Sequence, residues 1–184
     1  MTVPERLQAE NTALVVIDIQ DRLVRAMPNK EALLDAVSRL VRGAVVLEVP
    51  VILTEQYPQG LGETLPEVKE LMTGVTPVEK TCFSCADEDN FQQALKAAGR
   101  RQVLVCGIEA HICVYQTAMA LLREGYQVQV VVDCVDSRQA LNKEVCLTRM
   151  SAAGIGLTTV EMALFELLKV GRGDRFKQIS NIVK

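Results

Sequence analysis

A chain of 184 residues with 49% hydrophobic and 23% charged residues fits a single folded domain spanning residues 1–184, well outside the disordered class. Net charge is −3, and the 20 basic residues are scattered among 23 acids. That excludes a basic stripe for nucleic acid and favours a small-molecule substrate or a protein as partner.

Residues 13–19, ALVVIDI, form an apolar run with Asp18 near its end, as expected of a buried strand whose last acid faces a crevice above a sheet. Residues 31–48 follow with Leu33, Leu34, Val37, Leu40, Val41, Ala44 and Val45 at helical spacing. A second strand is expected at residues 51–54 after Pro50. The Gly- and Pro-bearing segment 55–66, EQYPQGLGETLP, has the length of a binding loop.

Residues 67–72 predict a short helix and 76–79 a short third strand leading into Lys80. Asp87 or a neighbour can cap the next helix, which carries Phe91, Leu95 and Ala98 on one face and ends at Gly99. A fourth strand is expected at residues 103–106, broken by Gly107. A helix follows whose first residues include His111 and Cys113 and whose end is Gly125.

Residues 127–133 predict the fifth strand, 142–153 a helix closed by Gly154, and 155–158 the sixth strand. Thr158 and Glu161 suit a capping box for the next helix. A last amphipathic segment carries Phe176, Ile179 and Ile182 and should dock on the body or on a partner subunit. Strand and helix alternate throughout. The fold class implied is α/β, a three-layer α/β/α doubly wound six-stranded parallel sheet of Rossmann-like type, with ligands beyond the carboxyl ends of strands.

No apolar run approaches the ~20 residues of a membrane span. The N-terminus MTVPERLQAEN has no apolar leader core, so a cytoplasmic protein without membrane partners is expected. The six cysteines then read as reduced thiols. Cys113, near a helix start, gains a thiolate-favouring field from backbone N–H groups and the helix dipole. His111, the one histidine, is two residues away and does not face it on a helix. A carboxylate is therefore the better base, with Asp18 the best placed and a lysine such as Lys80 able to hold both anions. Taken alone, Cys113 also reads as a small buried hydrophobe, Asp18 as a cap and Lys80 as a solvated charge. Gln20, Gln56, Tyr57, Phe83, His111 and Tyr115 would flank the mouth of such a site as substrate-binding or loop-packing residues.

ALVVIDIQ with Asp18, VEKTCFS with Lys80, and VLVCGIEAHICVYQTA with Cys113 resemble the isochorismatase-like cysteine hydrolases over nearly the whole chain. TEQYPQGLGET and DRFKQISNIVK look closest to the isochorismatase domain-containing protein subgroup. The resemblance implies a catalytic triad of Asp18, Lys80 and Cys113. It also implies a cis peptide between Ile108 and Glu109, which would aim the Glu109 and Cys113 N–H groups at an oxyanion. The activity implied is cysteine-dependent hydrolysis of a small amide or related C–N bond through a thioester.

The Asp and two His that hold a metal in nicotinamidases of this family have no counterpart around Thr54 to Pro58, so no metal is expected. Isochorismatases proper lack the nucleophilic cysteine, which argues against their reaction. No GxGxxG or P-loop is present, so no nucleotide cofactor is expected. The apolar helices and tail suggest a homo-oligomer, a dimer or higher. Two alternatives stand: a non-catalytic binding or scaffold protein on the same fold, and a thiol redox protein using the CxxC of Cys82 and Cys85.

Overall fold

The computed structural model describes residues 5–184; the N-terminal stretch expected to lack a leader begins in residues 1–4, outside them. Six strands form one all-parallel sheet: β1 (Thr12–Ile17), β2 (Val51–Gln56), β3 (Val78–Lys80), β4 (Gln102–Ile108), β5 (Gln127–Asp136) and β6 (Gly156–Thr158). Their order is β3-β2-β1-β4-β5-β6. The chain builds outward from β1 to β3 and then returns to the other side of β1, so strand order reverses between β1 and β4. That is where a parallel sheet opens a crevice at its carboxyl end.

Every residue of β1 and β4 is buried, because helices cover both faces. The short helix α1 (Asp21–Val24) follows β1. Leu14, Val16, Leu104 and Cys106 pack with α2 (Lys30–Val46) and α8 (Val160–Leu168). Val15, Ile17, Val103 and Val105 pack with α5 (Asp89–Ala98), α6 (Tyr115–Arg123) and α7 (Ala140–Ala152). Successive strand residues thus feed opposite cores, and the strands read as continuous apolar runs. The tail forms a helix, α9 (Asp174–Val183), that docks on the body. Ile179 is buried there, Phe176 lies 6.5 Å from Phe165 between ring centres, and Arg39 donates to the Val183 carbonyl at 3.1 Å. No described helix is long and apolar enough to cross a membrane.

Several boundaries differ from the sequence expectation. Strand β2 runs on through Glu55 and Gln56, both buried, because β3 pairs with them. β5 reaches Asp136 for the same reason, pairing with Gly107 and Ile108. Gly107 does not end β4 but sits inside it at φ +119°, where the register with β5 slips. A Cβ there would lie 2.0 Å from the Ile17 carbonyl oxygen, so the close approach of β1 and β4 demands glycine. The cap of α8 is Thr159, one residue later than expected, accepting from the Met162 N–H at 3.3 Å. The cap of α5 is Glu88.

The segment after β2 is not free loop. It holds two short helices, α3 (Pro58–Leu61) and α4 (Pro66–Lys69), and a bridge between Thr64 and Gln20. The buried Glu55 carboxylate accepts from both the N–H and the hydroxyl of Thr64 at 2.7 Å. This closes the segment at its base.

Four core thiols are held above the ordinary cysteine value near 9 by burial: Cys106 and Cys134 strongly, Cys85 up to about 12 and Cys146 up to about 11. The folded state then binds thiol protons more tightly than the unfolded chain. That stability is complete below the unfolded value and is lost as pH rises through the folded ones. In urea titrations the midpoint should hold to about pH 8 and fall from about pH 9 to 11, with Cys85→Ala showing a shallower fall. A midpoint that rises over that window contradicts the assignment. Gly107→Ala should lower unfolding free energy by about 3 kcal/mol or more, since strain and backbone clash combine; a change below about 1 kcal/mol would mean that β1 and β4 separate easily.

Candidate active site

Asp18 follows the last residue of β1 with its backbone in the left-handed region, φ +55°, a conformation that aspartate tolerates better than most side chains. Its N–H donates to the Thr54 carbonyl at 3.2 Å, and its side chain is fully buried. One carboxylate oxygen accepts from the Thr54 hydroxyl at 2.7 Å, the other from the Lys80 ammonium at 2.8 Å. Lys80 closes β3, two strands away, and reaches across the carboxyl end of β2 to make that contact.

The Lys80 ammonium has three hydrogens and three acceptors: Asp18, the Gln56 side-chain oxygen at 2.6 Å and the Cys82 carbonyl at 3.4 Å. Burial pulls its pKa down, but the charge of Asp18, with Cys85 and Cys113 behind it, outweighs burial and leaves it raised. It stays an ammonium. Gln56 is fixed in turn by donating to the Thr81 carbonyl at 2.8 Å. Gln20 and Gln56 exchange bonds: the Gln56 N–H donates to Gln20 at 2.7 Å and Gln20 donates to the Gln56 carbonyl at 2.9 Å. Gln20, fully buried and also bonded to the Gly62 carbonyl, braces the end of β1 against β2 and presents no free amide hydrogen to a ligand.

Cys113 lies in a five-residue turn of wide, π-type winding, Ala110–Val114, between β4 and α6. The Val114 N–H reaches back to the Glu109 carbonyl at 3.3 Å and Tyr115 to Ala110. The peptide between Ile108 and Glu109 is cis. Cys113 is only 6% exposed. Its position at a helix start predicts a lowered thiol pKa, yet the thiol is raised. Burial is the largest cause and the Asp18 charge the next, and together they outweigh the pull of Lys80. Asp18, Lys80 and Cys113 are therefore within each other's field, with the proton resting on sulfur.

The turn is fastened from the far side of β4. The buried Glu109 carboxylate accepts from the Arg138 N–H at 2.9 Å and from its guanidinium at 3.0 Å. His111 Nδ1 lies 2.9 Å from the Ser137 hydroxyl. His111 and Tyr115 open onto a groove against α7 with Leu141, Asn142, Val145 and Arg149, none of which belongs to the Asp18 cluster; the Arg149 guanidinium sits 5.0 Å over the Tyr115 ring. Tyr57 and Phe83, 53% and 55% exposed, stand just beyond β2 and β3. The Tyr57 N–H donates to the Lys80 carbonyl at 2.8 Å.

Thr54 is the neighbour that sequence reasoning did not single out, and Cys85, singled out there only as half of the CxxC, lies beside it. Cys85 is buried with its thiol 3.8 Å from the Thr54 hydroxyl, and its N–H donates to the Thr117 hydroxyl at 2.9 Å. A polar residue ending an otherwise buried strand was the available signal for Thr54. The CxxC sites differ sharply: Cys82 is partly exposed and Cys85 buried, both are free, and burial raises both thiols. Redox-active pairs need the opposite shift. Among the described residues no group of three or more His, Cys, Asp or Glu side chains is placed to hold a metal ion.

This architecture is shared. Residues 12–162 match the family model described as the isochorismatase domain. Isochorismatase domain-containing protein 2A of Mus musculus is 37% identical over 180 residues, covering 97% of this chain and 85% of that one. The solved structure of a protein called MAR1 ribonuclease, from Caenorhabditis elegans, superposes with a TM-score of 0.91 at 36% identity, over 97% of this chain and 92% of that one. The YcaC gene product of Escherichia coli, described as an octameric hydrolase of unknown specificity, gives a TM-score of 0.93 at 26% identity, over 98% and 91%. With a match over most of its length and a relative this similar across nearly all of it, the chain belongs to the isochorismatase domain family.

Proposed function

We propose that this protein is a cysteine hydrolase of small amides or related C–N bond compounds that works through a thioester. The observation that carries the reading is the Asp18 carboxylate, with one oxygen on Thr54 and the other on Lys80, acting on a thiol that stays protonated at rest. Such a carboxylate is a base with its position already fixed.

Asp18 takes the Cys113 proton as sulfur attacks the substrate carbonyl, and the C–S bond forms while the carbonyl π pair moves to oxygen. The N–H groups of Glu109 and Cys113 hold that oxyanion. Asp18 returns its proton to the leaving nitrogen, the C–N bond breaks and an acyl-thioester remains. Water then gives a proton to Asp18 and attacks the thioester, and the proton returns to sulfur as the acid departs. Lys80 holds Asp18 in place through the cycle and offsets the negative charge shared between carboxylate and sulfur.

A homo-oligomer in the cytoplasm, acting without metal or nucleotide, completes the proposal. The octamer of the Escherichia coli relative supports the first point. RNA hydrolysis, suggested by the name given to the Caenorhabditis elegans protein, finds less support in a chain of net charge −3 whose Lys80 is fully enclosed.

Ammonia release across a panel of small amides, ureides and carbamoyl compounds, with an RNA arm alongside, tests the reading. Cys113→Ala should lower turnover by about 10⁴-fold or more, with folding intact by circular dichroism. Turnover that survives the substitution refutes the nucleophile, and a binding or scaffold role gains if no amide is cleaved while Cys113 fails to react faster than the other thiols. Thr54→Val removes a hydrogen bond to an ionised acid and should cost about 10- to 100-fold in kcat with little change in KM. An unchanged kcat would show that Lys80 alone positions the carboxylate.

A further inference from the structure

The turn that carries Cys113 is pinned by the residues that follow β5, and what this implies rests on the proposal that Cys113 attacks a carbonyl carbon. Strands β4 and β5 end side by side, Ile108 paired with Asp136, so residues 109–111 and 137–138 leave the sheet as neighbours. The Glu109 carboxylate lies between them, 6% exposed. One of its oxygens accepts from the Arg138 backbone N–H at 2.9 Å, and Arg138 Nε reaches both oxygens, at 3.0 and 3.1 Å. Two positions on, His111 Nδ1 meets the hydroxyl of the fully buried Ser137 at 2.9 Å.

Glu109 is held through its backbone as well. Its carbonyl accepts from the Ile112 N–H at 3.1 Å and from the Val114 N–H at 3.3 Å. With side chain and carbonyl both tied, little freedom is left about the Glu109 backbone bonds, and the direction of its own N–H is set with them. That N–H is one of the two groups that receive the oxyanion in the proposed reaction. A donor of this kind acts only when it is aimed before the charge develops. Arg138 supplies the fixed geometry, because a planar guanidinium holds a carboxylate by directional, charge-assisted bonds.

We infer that Arg138 is a positioning residue for the reaction, aiming the Glu109 N–H by holding the Glu109 carboxylate. Its contribution falls on steps that place charge on a carbonyl oxygen and spares steps that do not.

Two probes separate these cases on the full chain. The ester p-nitrophenyl acetate acylates Cys113: the C–S bond forms, the carbonyl π pair moves to oxygen, the thiol proton passes to Asp18, and collapse of the tetrahedral intermediate expels p-nitrophenolate. Iodoacetamide alkylates it: the S–C bond forms as the C–I bond breaks, iodide leaves with the bonding pair, the thiol proton again passes to Asp18 and no oxyanion arises. Second-order rates come from p-nitrophenolate release, with the Cys113→Ala rate subtracted, and from peptide mass spectrometry at Cys113. Arg138→Ala, folded by circular dichroism, should slow acylation by about tenfold or more and change alkylation by less than about twofold, since misdirecting a donor costs part of what removing one does. Arg138→Met, which keeps the stem, carries the same measurement where the alanine variant loses structure.

The Arg138 side chain is 61% exposed, so a small cation can reach its place. Ethylguanidinium at about 20 mM, where screening is weak, should restore part of the lost acylation rate, and sodium chloride at the same concentration should not. Unchanged acylation, an equal loss in both reactions, or equal recovery in sodium chloride overturns the assignment. Wild-type protein that is alkylated at Cys113 but not acylated removes the thioester reading along with it, whereas full acylation in wild type and variant alike removes the role of Arg138 alone.

Discussion

The buried pair of Lys80 and Asp18 is the interaction that the rest of the site depends on. An ammonium and a carboxylate with no solvent contact are tolerable only because the ammonium has three acceptors and each carboxylate oxygen accepts a hydrogen bond; removing either partner of such a pair typically costs about 3–5 kcal/mol. The satisfaction comes from three strands at once. Thr54 and Gln56 on β2 serve the acid and the ammonium respectively, β1 delivers Asp18, and β3 delivers Lys80. The order β3-β2-β1 therefore has a chemical consequence: the lysine reaches its acid across the strand that carries both auxiliary hydrogen-bonding side chains.

A second consequence concerns the thiol. A helix start and a nearby lysine are the usual means of making a cysteine acidic, and both lie beside Cys113. They lose here because the lysine's charge is largely used on Asp18, while burial and that same carboxylate favour the neutral thiol. Under the proposed mechanism, such an arrangement suits proton transfer in step with attack rather than a standing thiolate. It also separates Cys113 from the other cysteines: Cys106 and Cys134 have similarly raised pKa values but lie inside the core, whereas Cys113 has an acceptor for its proton at hand.

The layered parallel sheet is legible in the sequence because strong apolar runs alternate with helical stripes, and because glycines such as Gly99 and Gly125 mark helix ends by their positive φ. Asp18 stands out as a polar residue near the end of an apolar strand, whereas Lys80, after Thr76, Pro77, Val78 and Glu79, reads alone as a solvated charge; the family resemblance joins both to Cys113. Less visible are features that depend on neighbours distant in sequence. Gly107 reads as a strand end until the β1 backbone beside it explains why a glycine belongs within β4. Gln20 reads as a ligand group in sequence, but the end of β2 and the Gly62 carbonyl occupy its amide. The separation of 36 positions between Asp18 and Thr54 hides a contact of 2.7 Å. The direction of the Cys113 shift is likewise hidden, because local position reports the helix field and says nothing of burial.

The closure at the base of the segment after β2 has a kinetic meaning. Glu55 grips Thr64 through two bonds and Gln20 holds Gly62, so the stretch that begins at Tyr57 is a wall and not a hinged lid. Displacing that stretch means breaking two hydrogen bonds to a buried carboxylate, so its motion is tied to local unfolding at the end of β2 and not to free rotation of a loop.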